Sequence, residues 1–405
     1  MAINLREIVL DSLIEIIEKG EYSHIIEKAV LDKYDYLPSN EKAFIKRTCE
    51  GTLENLIAID EVINRYSKVK VNKQKPLIRT LLRMSIYQLL YMDGVPDSAI
   101  CNEAVKLASK RGFRTLGGFV NGVLRAIARD KDNINLDSLK VLPDWLYEHL
   151  SNSYGKEKAD IICEDFKHPH KVTIRARRPL KDITLVQKVE GYDNVYTLSK
   201  GTSVKDIPGY EDGDFIVQDI SSMMVGNLSG IKKGDVVLDV CAAPGGKSIH
   251  AYDLGGKVYS SDLTYEKVAI LNENAKRCKA DIDIRMHDAT ILDESMVDMA
   301  DVVIADVPCS GLGIIGKKSD IRLKIKPENM DALVDVQRDI ISTVYKYIKK
   351  NGTLMYSTCT LNPKENELQA RWIEENLPLR KISEKQFLPG IDNTDGFYIA
   401  KFIRE

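Results

Sequence analysis

The 405-residue chain lacks the patterns that mark several classes of protein. Its 7 cysteines include no C-x-x-C pair and its 6 histidines do not cluster with them, so no metal site is indicated. No apolar run is long enough to cross a membrane, and no secretory signal pattern is visible. Because an odd cysteine number without a regular framework is typical of a reducing compartment, we expect a cytoplasmic protein. We also expect no membrane contact and a monomer.

The net charge is also small, with a formal value of −2 for the whole chain. The distribution is nevertheless uneven: residues 1–64 hold 7 Lys and Arg against 13 Asp and Glu, whereas residues 65–131 hold 14 against 4. This basic block would attract phosphates in a salt-sensitive manner, although a solvated helix face is an equally good interpretation. Its members include Lys68, Lys70, Lys73, Lys75, Arg79, Arg83, Lys106, Lys110, Arg111 and Arg114.

Residues 1–131 have the apolar periodicity of helices throughout. The segment 77–91 is apolar nearly all round, which predicts a buried central helix. Further helix starts are expected at Pro96-Asp97-Ser98 and after Gly117-Gly118. A linker over 132–143 would lead into a helix at 144–151. The segment 144–214 would form a small mixed module, with a strand at 172–175.

Residues 239–248, Asp-Val-Cys-Ala-Ala-Pro-Gly-Gly-Lys-Ser, are the most informative part of the chain. They follow a short apolar strand and precede a predicted helix, so their backbone N–H groups would form a seat for a small polar ligand. The glycine spacing fits neither the G-x-G-x-x-G nor the phosphate-loop pattern. A lone Gly-Gly is usually only a turn, so the hypothesis of a ligand needs support from elsewhere.

Acidic residues at the ends of the next three predicted strands supply that support. Asp262, Asp288 and Asp306 follow strands expected at 258–261, 282–286 and 302–305. Ligands bind at the carboxyl ends of strands in open α/β sheets, and an acid at the position of Asp262 could bind the ribose of an adenosine-type ligand.

Two cysteines also lie at strand ends on this face. Cys309 is found in Asp306-Val307-Pro308-Cys309-Ser310-Gly311, and Cys359 in Tyr356-Ser357-Thr358-Cys359-Thr360. A pair of thiols suits methylation of cytosine at C5, because a thiolate that adds to C6 activates this otherwise unreactive carbon. The spacing alone does not decide which cysteine is the nucleophile.

These motifs together resemble those of S-adenosylmethionine-dependent RNA cytosine-5 methyltransferases, from about Phe215 to Glu405. The segments Val217-Gln218-Asp219, Ser357-Thr358-Cys359-Thr360-Leu361-Asn362-Pro363-Lys364-Glu365-Asn366-Glu367 and Asp395-Gly396-Phe397-Tyr398 match as well. The resemblance implies a doubly wound, Rossmann-like α/β domain that binds S-adenosylmethionine. It implies Cys359 as the nucleophile and Cys309 as an aid to product release. The cofactor residues that it implies are Cys241, Ala242, Ala243, Pro244, Gly245, Gly246, Lys247, Asp262, Asp288 and Asp306.

The helical N-terminal region is similar to NusB, an all-α RNA-binding fold, chiefly at Ser85-Ile86-Tyr87-Gln88-Leu89-Leu90 and Phe119-Val120-Asn121-Gly122-Val123-Leu124-Arg125. The combination resembles the bacterial 16S rRNA methyltransferases of the RsmB or Sun (Fmu) type, whose family target is cytosine 967. We therefore expect a NusB-like domain over 1–131, a linker and small α/β module over 132–214, and a methyltransferase domain over 215–405.

Two segments depart from the family pattern. An Arg-x-Asn signature reads Arg175-Ala176-Arg177 here, and an Asp-Ile-Lys-Trp signature reads Asp320-Ile321-Arg322-Leu323. The resemblance implies that both lie in regions that contact RNA. Arg175, Arg177 and Arg178 could hold phosphates or form a solvated strand edge. Other interpretations are a methyltransferase for tRNA or another rRNA site, a non-enzymatic RNA-binding protein, and a DNA methyltransferase.

Overall fold

The computed structural model describes residues 3–168, 171–199 and 201–405, which divide into two compact units. The first comprises Met1–His149 and Lys318–Lys324, and the second comprises Leu150–Lys317 and Ile325–Glu405. The division at 131 and 214 drawn from the sequence stays a prediction.

The first unit is all-helical over its described residues, as the sequence predicts. Its central helix, residues 76–91, starts with Pro76 in the first turn, where a missing N–H is harmless, and buries Leu81, Leu82 and Ile86 completely. The helices are α1 (Leu5–Leu13), α2 (Ser23–Lys33), α3 (Ser39–Glu54), α4 (Leu56–Tyr66), α5 (Pro76–Tyr91), α6 (Asp97–Lys110), α7 (Gly117–Asp130) and the start of α8 (Asp144–Tyr154), with α13 (Ile321–Lys324) added from the distant segment.

The segment Lys318–Lys324 is anchored within this first unit. The Asp320 carboxylate accepts a hydrogen bond of 3.2 Å from the Ser23 N–H, and the Arg322 guanidinium donates to the carbonyls of Glu54 and Val141 at 3.3 and 3.1 Å. Asp320 and Arg322 are 4% and 2% exposed. Asp320 and Arg322 are therefore not available to RNA, because both side chains are buried and bonded to backbone groups.

The second unit contains two sheets, a four-stranded one with the order β2-β3-β1-β4 and a seven-stranded one with the order β10-β11-β9-β8-β5-β6-β7. The strands are β1 (Thr173–Ala176), β2 (Val186–Lys188), β3 (Val195–Leu198), β4 (Phe215–Val217), β5 (Val236–Asp239), β6 (Lys257–Asp262), β7 (Asp283–Met286), β8 (Ala300–Asp306), β9 (Ile348–Thr358), β10 (Leu379–Phe387) and β11 (Phe397–Arg404). The helices are α9 (Lys156–Asp165), α10 (Ile220–Ser229), α11 (Gly246–Asp253), α12 (Tyr265–Arg277), α14 (Pro327–Val344) and α15 (Glu367–Asn376).

The large sheet is a doubly wound, Rossmann-like sheet, as predicted. Strands β7, β6, β5, β8 and β9 are parallel, and β11 runs antiparallel to both β9 and β10. The chain moves outward in one direction from β5 to β7 and in the other from β8 to β9. The order reverses between β5 and β8, and such a reversal opens a crevice at the carboxyl ends where ligands bind.

The structure corrects the expectation for Arg175 and Arg177, whereas for the exposed Arg178 it stays a prediction. Arg175 is 4% exposed, pairs with Asp253 at 2.9 Å and donates to the Gln218 side chain at 2.9 Å. Arg177 pairs with the same Asp253 at 2.7 Å. Strand β1 is buried along its whole length rather than on alternate residues. Arg175 and Arg177 thus tie the small sheet to α11 and are not available to RNA phosphates.

Candidate active site

The loop after β5 forms one side of the crevice at the carboxyl ends of the strands. Gly245 has φ +109°, and a Cβ there would meet Leu271 Cδ1 at 2.8 Å, so both conformation and space require glycine. Helix α11 begins at the next residue, so its free N–H groups face the loop. The Ala243 N–H donates to the Asp262 carboxylate at 2.9 Å. The N–H groups of Ala242 and Gly245 are likewise bonded, to the carbonyls of Ser261 and Ala242, so the predicted seat stays a prediction that rests on the first turn of α11.

A partly buried ion pair joins this loop to the end of β8. The Lys247 ammonium lies 2.6 Å from the Asp306 carboxylate, which also accepts a hydrogen bond of 2.8 Å from the Ser357 hydroxyl at the end of β9. Burial disfavours the charged form of Lys247, but Asp306 outweighs it, so the pKa of Lys247 is raised. Lys247 thus remains a cation inside the crevice.

Three further acids of the crevice have distinct environments. Asp262, 3% exposed, accepts from the N–H groups of Ala243 and Leu263 and pairs with Lys267 at 3.0 Å. Asp288 follows β7, and hydrogen bonds from Thr290 lower its pKa. Asp239 is fully buried, which raises its pKa to about 7, although it accepts from the Ser248 hydroxyl at 2.6 Å.

This donor set fits an adenosine-type cofactor. Carboxylates stand at the ends of β6 and β8 and directly after β7, and free backbone N–H groups point from α11. Cys241 and Ala242, at the base of the loop, are enclosed, and burial raises the pKa of the Cys241 thiol. The residues present could therefore hold S-adenosylmethionine, with polar groups for a ribose and an amino acid moiety.

The two candidate cysteines are adjacent. Cys309 Sγ lies 3.3 Å from Cys359 Sγ, and both thiols are free and half-buried. The hydrogen bond to Cys359 and burial raise the pKa of Cys309 well above its ordinary value. Either sulfur can be the donor in this contact, so the two thiols are within hydrogen-bonding distance of each other without a fixed direction.

A buried carboxylate that the sequence analysis did not single out joins the two cysteine loops. Glu365, 0% exposed, accepts from the Ser310 N–H at 2.9 Å and from the Ser310 hydroxyl at 2.5 Å. It also accepts from the side-chain amides of Asn362 and Gln337, at 2.9 and 3.0 Å. The Thr360 hydroxyl lies 2.6 Å from Ser310 Oγ. The residues that directly follow Cys309 and Cys359 are thus linked to each other and to one carboxylate.

Two glycines enclose Cys359 from another side. The Gly313 N–H donates to the Cys359 carbonyl at 3.0 Å, and the Gly396 N–H donates to the Gly313 carbonyl at 2.9 Å. A Cβ on Gly313 would lie 1.9 Å from the Gly396 carbonyl oxygen, and one on Gly396 would lie 2.5 Å from Gly313 Cα. This backbone contact accounts for the Asp395-Gly396 motif.

The resemblance to the methyltransferase family at Asp219 also has a structural explanation. The Lys317 ammonium bridges Asp219 and Asp395, at 3.0 and 2.7 Å. Although burial opposes ionisation of Asp219, Lys317 and the hydroxyls of Ser221 and Thr394 lower its pKa to about 2. This cluster fixes the loop before β11 to the start of α10.

Sequence reasoning missed Glu365, Gln337 and Lys317. Glu365 lies in the Asn-Pro-Lys-Glu-Asn-Glu motif, which matches the family pattern but does not indicate what this carboxylate does. Gln337 and Lys317 carried no signal, because their partners are distant in the sequence.

The structure contains no cluster of His, Cys, Asp and Glu suited to a metal ion among its described residues. Within the same part of the chain, no helix combines the length and apolar character that a membrane span requires.

Known proteins match the chain in both of its regions. Residues 228–403 match the family described as 16S rRNA methyltransferase RsmB/F, and residues 3–129 match the NusB family. A Bacillus subtilis protein named "Probable ribosomal RNA small subunit methyltransferase B" is 33% identical over 98% of both chains. A Cronobacter sakazakii ribosomal RNA small subunit methyltransferase B is 27% identical over 100% of this chain and 99% of its own.

Solved structures share the fold. The crystal structure of PH0851 superimposes with a TM-score of 0.81 over 100% of both chains, at 21% identity. That of NSun6 from Pyrococcus horikoshii with SFG gives a TM-score of 0.58 over 65% of this chain and 98% of its own, at 19% identity. From the two matched regions and the full-length relatives, we conclude that the chain belongs to the ribosomal RNA small subunit methyltransferase B family of S-adenosylmethionine-dependent enzymes.

Proposed function

We propose that the protein transfers a methyl group from S-adenosylmethionine to C5 of a cytosine in 16S rRNA, with cytosine 967 as the expected target. The observation that carries the proposal is the contact of 3.3 Å between the two thiols, next to the ion pair of Lys247 and Asp306. Bound S-adenosylmethionine supplies the methyl group as an electrophile. The cytoplasm is the expected location.

Cys359 is the nucleophile in this proposal. The Cys359 thiolate adds to C6 of cytosine, so that an S–C6 bond forms and the electron pair of the C5–C6 double bond moves to C5. The activated C5 then takes the methyl group. In this proposal a hydrogen bond from the Cys309 thiol and the nearby Lys247 cation would stabilise the Cys359 thiolate.

Cys309 acts after the methyl transfer. A base removes the proton from C5, the double bond re-forms, and the S–C6 bond breaks to release Cys359 as a thiolate. The Cys309 thiol is within reach of that leaving sulfur, and its raised pKa keeps its proton available for a hydrogen bond. Asp306, which pairs with Lys247 at the end of β8, would also contact the target base in this proposal.

The cofactor would be held by the loop 241–247 and the three acids Asp262, Asp288 and Asp306. The free N–H groups of α11 and the charged Lys247 would orient it. SFG, an analogue of S-adenosylmethionine, was found with NSun6, a fold relative. The target base must leave any stack to reach Cys359, at about a few kcal/mol, which favours loosely structured RNA as substrate.

The test is transfer of labelled methyl from S-adenosylmethionine to protein-free 16S rRNA, by the wild type and by Cys359→Ala in parallel. We expect label with the wild type only, mapped to a C5-methylated cytosine. Equal label with Cys359→Ala would overturn the nucleophile. Label on tRNA and none on 16S rRNA would show that the assigned substrate is wrong but that the proposed chemistry is right. Absence of transfer to any RNA would overturn the proposal.

A further inference from the structure

The structure separates the basic residues of the first unit into two groups. Most are engaged: Arg83 pairs with Asp60 at 2.7 Å, and Arg79 forms a hydrogen-bonded pair with Glu18. Lys106, Lys110 and Arg111 likewise pair with Glu103, Glu7 and Asp11. These side chains contribute little free charge, because their partners neutralise them. The formal positive charge of residues 65–131 therefore overstates the free charge of that range, because most of these acidic partners lie outside it.

The second group, which has no ion pair among the described residues, includes Arg114 and, in one short segment, four lysines. Residues 67–75, which we call the lysine loop, join α4 to α5 and contain Lys68, Lys70, Lys73 and Lys75. All four lysines are exposed, and among the described residues none of them forms an ion pair. The Lys70 ammonium has one hydrogen bond, to the Asn64 carbonyl at 3.3 Å. Four positive charges are thus presented to solvent within eight residues of sequence.

The lysine loop has a defined backbone. Ser67 Oγ donates to the Val69 carbonyl at 2.8 Å, and the Gln74 side chain donates to the same carbonyl at 2.9 Å. The Val71 N–H donates to the Asn64 side chain at 2.9 Å. Ser67, Val71 and Gln74 are buried between the exposed lysines. The loop therefore holds its lysines outward without an ordering step, which lowers the entropic cost of binding.

We propose that the lysine loop is a docking surface for the phosphate backbone of the RNA substrate. A lysine ammonium is a compact charge suited to phosphate without base specificity. Since the whole chain has a net charge of −2, RNA attraction must come from a local patch such as this one. The inference rests on the proposed function only in that the substrate is RNA.

The experiment measures the affinity of the full chain for protein-free 16S rRNA over about 0.05 to 0.3 M salt. The variant carries Lys68→Gln, Lys70→Gln, Lys73→Gln and Lys75→Gln. If each lysine neutralises one phosphate, the slope of log affinity against log salt falls by about 3, at roughly 0.7 to 0.9 per contact. We expect affinity to fall at least tenfold near 0.1 M salt, equally for an unrelated RNA of the same length. The KM for RNA should rise while kcat at saturating RNA is unchanged.

The matched control carries Lys19→Gln, Lys42→Gln, Lys106→Gln and Lys110→Gln, which remove the same charge from ion-paired lysines of the same unit. We expect its salt slope to equal that of the wild type. An unchanged slope in the lysine-loop variant would overturn the proposal and leave the loop for an acidic protein partner. An equal fall in both variants would also overturn it, since global charge would then be the cause. Binding is measured without methyl transfer, so a failed activity assay would count against the proposed function alone.

Discussion

Cys309 Sγ and Cys359 Sγ lie 3.3 Å apart, within hydrogen-bonding distance. The two cysteines end neighbouring strands, β8 and β9, and belong to segments 50 residues apart in the sequence. One thiol can therefore hydrogen-bond the other whether that second sulfur is free or about to leave a substrate.

We predict that Cys309→Ala traps a covalent protein–RNA adduct. Without the Cys309 thiol, Cys359 can still add to C6, but the hydrogen bond to the departing sulfur is lost. The adduct would be a slowed band on a denaturing gel after incubation with 16S rRNA and S-adenosylmethionine.

The double variant Cys309→Ala, Cys359→Ala should give no slowed band, because the nucleophile is absent. Cys163→Ala, in α9, should behave as the wild type. A Cys309→Ala variant that turns over normally and accumulates no adduct would remove Cys309 from product release.

Glu365→Ala should lower kcat about tenfold to a hundredfold, with affinity for S-adenosylmethionine nearly unchanged. The carboxylate accepts four hydrogen bonds that hold the segments after Cys309 and Cys359, and small displacements of reacting groups are costly. Single-turnover kinetics and calorimetry with the cofactor measure the two effects. The exposed Glu375→Ala is the control, and equal kcat in both variants would show that Glu365 has no positioning role.

Asp262→Ala should weaken cofactor binding at least about tenfold, or 1.4 kcal/mol, with little effect on folding. The substitution removes the acceptor for the N–H groups of Ala243 and Leu263 as well as the carboxylate for a ribose. Calorimetry with S-adenosylmethionine measures the change, with the exposed Glu266→Ala as control. An unchanged dissociation constant would place Asp262 outside the binding site.

Gly313→Ala should lower the free energy of unfolding of the second unit by about 3 kcal/mol and abolish methyl transfer. The added Cβ would lie 1.9 Å from the Gly396 carbonyl oxygen, and backbone cannot move aside as a flexible side chain does. Thermal unfolding measures the first effect. Gly118→Ala has open space around its Cβ and should not destabilise the first unit. If Gly313→Ala unfolds at the same temperature as the wild type, the close packing of Gly313 on Gly396 is wrong.

His250 should remain neutral well below pH 6. Burial, with a contribution from Arg175, lowers its pKa to about 3. The unfolded chain binds a proton at this residue near pH 6.5 while the folded chain does not, so His250 contributes stability above pH 6.5 that is lost as pH falls toward 3. The loss is about 1.4 kcal/mol per pH unit within that window. Its imidazole resonance, assigned from the spectrum of His250→Gln, should not shift between pH 7 and about 5. A titration midpoint of this resonance near pH 6.5 would contradict the burial of His250.

Local patterns predicted much of the fold. The apolar segment 77–91 is the buried α5, and the expected strands before Asp262 and Asp306 are β6 and β8. These predictions succeeded because periodicity and turn residues act over a few neighbours. Cys309 and Cys359 were singled out for the same reason, since each lies in a polar turn directly after an apolar strand.

The contacts between distant segments could not be predicted. Arg175 reads as a strand-edge cation, but its partner Asp253 comes from α11 and draws it into the interior. Glu365 reads as one acid among several in a polar segment, and only the fold places Ser310 and Gln337 against it. Charge alone likewise could not distinguish the engaged Arg83 from the exposed Lys73, because pairing depends on Asp60.

The placement of Lys318–Lys324 has a consequence for synthesis of the chain. The first unit needs this segment to satisfy the Ser23 N–H and the carbonyls of Glu54 and Val141. A ribosome must translate all of residues 150–317 before the segment emerges. The first unit therefore remains unfinished until most of the catalytic sheet has been made, and a chain that stops before residue 318 carries defects in both of its parts.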